Sequence, residues 1–78
     1  MIKWENIGKE VRQNGEGTTY YTSKDGRFTI ESRRRAIRRA NGNGYWMYTS
    51  YFLIDGNDNS EKEYATLKKA KEAAEVKV

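Results

Sequence analysis

Cysteine, histidine and proline are absent from this chain of 78 residues. Without cysteine no disulfide can staple the fold, and no thiolate can serve as nucleophile or metal ligand. Without histidine the commonest general base and the commonest metal ligand are lost together. Glutamates remain, but no spacing singles out an acid pair, and so small a body offers little room for a pocket. The expectation is a non-enzymatic protein with no cofactor and no metal. Without proline, the turns fall to the seven glycines. Long apolar runs are missing too. The longest apolar-leaning stretch, Tyr45 to Ile54, is interrupted by Thr49 and Ser50. It is far short of the roughly 20 residues that cross a bilayer as a helix. The opening Met1-Ile2-Lys3-Trp4-Glu5 holds neither an apolar export core nor a cleavage site, so a cytoplasmic protein is expected, with no membrane contact.

What is present points to a folded binding module. The length sets one domain, residues 1–78, which buries only about 60–65% of the surface its unfolded chain exposes. Aromatics at 13% are too many for a disordered tail.

The net charge of +4 is unevenly placed. Residues 1–32 carry five basic and five acidic groups, which cancel, whereas residues 33–44 carry five arginines and no acid. The run Arg33-Arg34-Arg35-Ala36-Ile37-Arg38-Arg39 therefore supplies more than the whole excess. It is built from arginine alone, and arginine's planar fork grips phosphate or carboxylate through two parallel hydrogen bonds.

Along the chain, residues 1–17 read as an N-terminal lead broken by Gly8, Gly15 and Gly17, with Trp4 and Ile7 as the anchors if it holds a short strand and Val11 as a second contact. A β-meander is expected over 18–55. Thr18 to Ser23 and Arg27 to Glu31 are rich in strand formers, and Asp25-Gly26 between them favours a type I′ turn. That turn pairs Ser23 with Phe28 and Tyr21 with Ile30. It puts Tyr21, Phe28 and Ile30 on one face and Tyr20, Thr22, Thr29 and Glu31 on the other. The arginine run either continues this strand into a long hairpin closed by Asn41-Gly42-Asn43-Gly44 or forms a short helix capped by Ser32. The hairpin is favoured, because a helix of two turns is marginal alone. Gly42-Asn43-Gly44 lacks the strand–helix setting of a nucleotide loop and is only a turn. Tyr45 to Ile54 is apolar on both faces, as central strands are. Trp46, Tyr48, Phe52 and Ile54 lie on one face, and Tyr45, Met47, Tyr51 and Leu53 on the other. A helix follows over 66–77. Leu67, Ala70, Ala74 and Val78 make its apolar stripe, with Thr66 preferred as N-cap over a Ser60/Glu63 capping box, Glu61 to Ala65 extended before it and Tyr64 pointing inward. The fold class expected is α+β, a three- to four-stranded antiparallel meander with one C-terminal helix packed on one face. The other face then meets water, the N-terminal lead, a second copy or a target.

The stretch Tyr21-Thr22-Ser23-Lys24-Asp25-Gly26-Arg27-Phe28-Thr29-Ile30 resembles the "Y-x-S-x-D-G-R-F-x-I" hairpin of small phage-encoded proteins. Tyr64-Ala65-Thr66-Leu67-Lys68-Lys69-Ala70-Lys71-Glu72-Ala73-Ala74 resembles their "F-x-T-L-x-x-A-K-x-A-A" closing helix. The sheet-then-helix order is also similar in layout to the arm-binding N-terminal domain of phage and transposon integrases, which lays a three-stranded sheet in the DNA major groove. The chain departs from both in its arginine hairpin and long N-terminal lead. The resemblance implies a phage or mobile-element origin, and so a host cytoplasm, and it passes on no catalytic residue.

These observations converge on an accessory protein that binds nucleic acid, DNA ahead of RNA, or a host nucleoprotein complex. The expected contacts are Arg33, Arg34, Arg35, Arg38 and Arg39, with Lys24 and Arg27 nearby and Tyr20, Tyr45, Tyr48 and Tyr51 adding stacking or groove contact. The alternative is a phage-encoded inhibitor of a host defence complex, anti-CRISPR-like, acting by protein–protein contact. Homodimerisation stays open. The bland alternatives are a solvated arginine tip that aids solubility and aromatics used for core packing.

Overall fold

The computed structural model describes residues 2–77. Five strands, β1 (Trp4–Val11), β2 (Gly17–Ser23), β3 (Phe28–Arg38), β4 (Tyr45–Asp55) and β5 (Ser60–Tyr64), precede one helix, α1 (Leu67–Val76). Each strand pairs antiparallel with the next, so the sheet is an uncrossed meander in the order β1-β2-β3-β4-β5. The α+β class stands, with more strands than the three or four expected. Within the N-terminal lead, β1 is an edge strand anchored by Trp4, while Ile7 and Val11 are exposed and anchor nothing. Its signal is faint because all its side chains but Trp4 are exposed and Gly8 breaks the register. Gly8 sits at φ 137°, and its N–H donates to the Asn6 side chain at 3.0 Å.

The arginine run extends β3, and β3 pairs with β4 along its whole length from Phe28↔Asp55 to Arg38↔Tyr45. The short-helix alternative is thereby excluded. The Asp25-Gly26 turn holds the expected register, with Tyr21 opposite Ile30, but its type differs. Gly26 N–H donates to the Ser23 carbonyl at 2.9 Å and only Gly26 (φ 80°) turns left-handed. It is a type I turn followed by a left-handed glycine. Ser23 explains the preference: its hydroxyl donates to Asp25 at 2.6 Å and accepts the Phe28 N–H at 2.9 Å.

The core is small and lies at one end. Phe28, Ile30, Leu53, Ala70 and Ala74 are buried, with Ile2, Trp4, Tyr21, Tyr51, Tyr64 and Leu67 packed around them. Full burial of each large side chain is worth about 1.5–3 kcal/mol, while the two alanines let α1 lie close to the sheet. Thr66 caps α1 by accepting the Lys69 N–H at 3.1 Å, as its sequence position suggests. Val78 of the expected stripe lies outside the described residues.

Beside the core sits Asp55, 1% exposed. It accepts from the Arg27 guanidinium at 3.2 and 3.3 Å, from the Asn57 N–H at 3.0 Å and from Lys77 at 3.0 Å. These donors, Arg27 first, hold its carboxyl far below the usual carboxylate range despite burial. One side chain thus ties the β2–β3 turn, the end of β4 and the last turn of α1 together.

The molecule is elongated, 45 × 21 × 20 Å. A ten-residue helix is about 15 Å long, whereas the eleven residues of β3 span roughly 35 Å. The far half of the β3–β4 hairpin therefore projects beyond the helix as an arm.

Candidate nucleic-acid interface

Strand pleating separates the arginines that the sequence presents as one cluster. Successive side chains point to opposite faces. Arg34 and Arg38 share the face that carries α1, together with Phe28 and Ile30, while Arg33, Arg35 and Ile37 occupy the open face.

On the open face the arginines are engaged. Arg33 donates to Glu31 at 2.7 and 2.9 Å and to Glu61 at 3.0 Å, and it lies 4.0 Å over the Phe52 ring. Its hydrogen bond to Glu31 pushes its pKa further up. Arg35 reaches back to the Gly17 and Arg34 carbonyls, both at 2.9 Å, and to the Thr18 hydroxyl at 3.3 Å. These two side chains are folded onto the molecule, contrary to the expectation of a free tip.

Arg34, Arg38 and Arg39 are different. All three are exposed, and among the described residues no carboxylate lies within ion-pair distance of them. Four residues of strand put Arg34 and Arg38 about 13 Å apart, so they reach separate anions. Lys9 of β1 pairs with Thr19, which pairs with Ser32, so Lys9 joins the same face. An open trough of about 500 Å³ there is lined by Lys9, Arg34, Thr19, Ser32 and Thr49, and also by Glu10 and Glu16. It sets hydroxyls beside cations, and of its two carboxylates Glu16 is already bound to the Ala36 N–H and to Asn14.

Lys24 and Arg27 do not join this surface. They sit in the β2–β3 turn at the opposite end of β3 from Arg38, and Arg27 is bound to Asp55. Tyr51 packs against the core. Tyr20 is half-buried on the open face opposite Glu31. Tyr45, 66% exposed, stands opposite Arg38 on the helix side, so of the expected tyrosines it is the exposed one beside the free arginines, whereas Tyr51 lines the trough from the core side. Tyr48 lies on the open face, 43% exposed, with its hydroxyl 3.3 Å from Glu63.

Two surface residues escaped the sequence-based selection of sites. Trp46, 45% exposed, meets Tyr48 edge-on at 6.0 Å, and Ile37 faces it across the strand pair. Their period-2 spacing was readable, but which face stays uncovered depends on where α1 ends.

Compared with protein-family models, with curated proteins and with solved structures, the chain gives no match. The geometry of the site alone bears on function.

Proposed function

We propose that this protein binds nucleic acid, DNA in the first instance, through the helix-side face of the β3–β4 arm. The observation that carries this is the trio Arg34, Arg38 and Arg39, exposed and without acid partners among the described residues. The chain does neutralise Arg27 and Arg33, so leaving these three unpaired sets them apart. A two-stranded ribbon also fits the major groove of B-form DNA, where Arg34 and Arg38 on one face, with Arg39 at the start of the closing turn, reach its phosphates. Arg34, Arg38 and Arg39 make the backbone contacts, Lys9 supports them and Tyr45 adds groove or stacking contact. A phage or mobile-element accessory role is the setting that the hairpin and helix resemblances imply.

A protein target, as for an inhibitor of a host defence complex, is the second reading. The exposed Trp46 and Tyr48 favour it, since such side chains often anchor protein interfaces.

The test is fluorescence anisotropy with duplex and single-stranded DNA and RNA at low salt. Micromolar binding that Arg34→Ala/Arg38→Ala/Arg39→Ala weakens and Lys24→Ala, at the far end of β3, leaves intact supports the proposal. No binding to any of the four probes overturns it.

A further inference from the structure

We infer that two copies of this chain associate edge to edge through the outer half of β4. β5 covers β4 only from Tyr51 to Asp55, so Tyr45 to Ser50 have no neighbouring strand on that side. The direction of their backbone groups follows from two contacts. Arg39 N–H donates to the Gly44 carbonyl at 3.1 Å, and Ala36 N–H turns away from β4 to Glu16 at 3.0 Å. Antiparallel pairs alternate between hydrogen-bonded and open. Arg38↔Tyr45, Ala36↔Met47 and Arg34↔Thr49 are thus open pairs. The N–H and C=O groups of Tyr45, Met47 and Thr49 therefore point away from β3, where no group among the described residues partners them.

An exposed edge of this kind is a template for another strand, and proteins ordinarily blunt it with charge, a bulge or a cover. The other edges here are blunted. β1 carries Glu5, Lys9, Glu10 and the Gly8 irregularity. β5 carries Glu61, Lys62 and Glu63. The free flank of β3 has the Glu16 carboxylate on Ala36 and the Arg35 side chain folded over it. Tyr45-Trp46-Met47-Tyr48-Thr49-Ser50 has no charge at all, and three of its side chains are large exposed aromatics.

A second copy suits this edge because an uncharged strand is compatible with its own antiparallel repeat. The end of β5 at Tyr64 and the turn at Asn41 to Gly44 limit how far the copies slide together. The two-fold axis then falls near Trp46, with Tyr45 and Met47 of each copy exchanging backbone hydrogen bonds. Trp46 lies beside its symmetry mate on the open face. From their fractional exposures, Tyr45, Trp46 and Tyr48 contribute roughly 300 Å² per copy. That is a small interface, so the association is weak and depends on concentration. The arginine faces of both arms lie on one continuous sheet in this dimer, which multiplies their valency for an extended polyanion.

Sedimentation equilibrium on the full chain, from micromolar to millimolar concentration, tests this. The expected mass rises from 9.1 kDa toward twice that value. Hydrogen exchange should report concentration-dependent protection of the Tyr45 and Met47 amides, while Trp46 and Tyr48, bonded to β3, are protected throughout. Met47→Pro removes an outward N–H without touching the β3 ladder, and should leave the chain folded and monomeric. Trp46→Lys, which sets two ammonium groups together at the axis, should do the same if the proline variant fails to fold. A chain that stays monomeric at millimolar concentration overturns the proposal. So does a folded Met47→Pro that dimerises like the wild type.

Discussion

Phe28→Ala probes the division of this molecule into a core and an arm. Phe28 is 1% exposed, and its ring meets Trp4 at 6.4 Å with the Arg27 guanidinium 4.6 Å over it. Truncating such a buried ring costs about 3–5 kcal/mol. A chain of 78 residues has roughly 4–12 kcal/mol of total stability. A core of five buried hydrophobic residues among those described belongs near the lower end. Phe28→Ala should therefore lose most of the cooperative unfolding transition in urea, followed by circular dichroism. Phe28→Leu, a smaller truncation, should keep the transition and shift its midpoint in the same direction. Tyr45→Ala removes a comparably large side chain from the arm, but one that is 66% exposed, and should stay within about 0.5 kcal/mol of wild type. If Tyr45→Ala destabilised as much as Phe28→Ala, the arm would be part of the core and the division would be wrong.

Acid should weaken the fold through Asp55. Its folded pKa lies below the unfolded value, so it contributes stability above about pH 4 that is lost as pH falls through the folded value. Glu16, Asp25 and Asp58 are lowered as well and add in the same direction. Melting temperatures between pH 7 and pH 2 should fall on acidification, and Asp55→Asn should be less stable at neutral pH with a flatter acid limb. An unchanged acid limb in Asp55→Asn would deny Asp55 its role. Thr66→Ala should cost about 1 kcal/mol in urea, and Thr66→Ser little, because the hydroxyl is what accepts the Lys69 N–H.

Local chemistry was the legible part of the sequence. Ser23, Asp25 and Gly26 determine their own turn, and Thr66 followed by an alanine-bearing stripe determines where α1 begins. Both rest on contacts only a few residues apart. Edge strands were legible in part: Trp4 as an anchor and the extended residues before Thr66, with Tyr64 inward, could be read, but not the pairing of either strand. β1 and β5 bury little, so neither shows the apolar alternation that marks a strand, and each is held by its neighbour's backbone. The Asp55 cluster joins Arg27 and Lys77 across the whole chain, and no spacing announces it. The arginine run shows the two levels together. Its composition gave the charge correctly, but once it is a strand its members divide between faces. Which of them stay free is then decided by Glu31 two residues earlier on the same strand, by Glu61 on β5 and by Thr18 on β2. Tyr51 and Trp46 exchanged roles for a similar reason, because the register of β4 relative to α1 decides which aromatic is covered.

The salt dependence of DNA binding tests the central claim most directly. Each phosphate neutralised on duplex DNA contributes about −0.9 to the slope of log affinity against log salt. Losing Arg34, Arg38 and Arg39 should flatten that slope by about 2.7, so the advantage of wild type over the triple alanine variant should shrink about 40-fold between 50 and 200 mM salt. Arg33→Ala should leave the slope unchanged, since Glu31 and Glu61 already neutralise that side chain. Equal slopes for wild type and the triple variant would contradict the account.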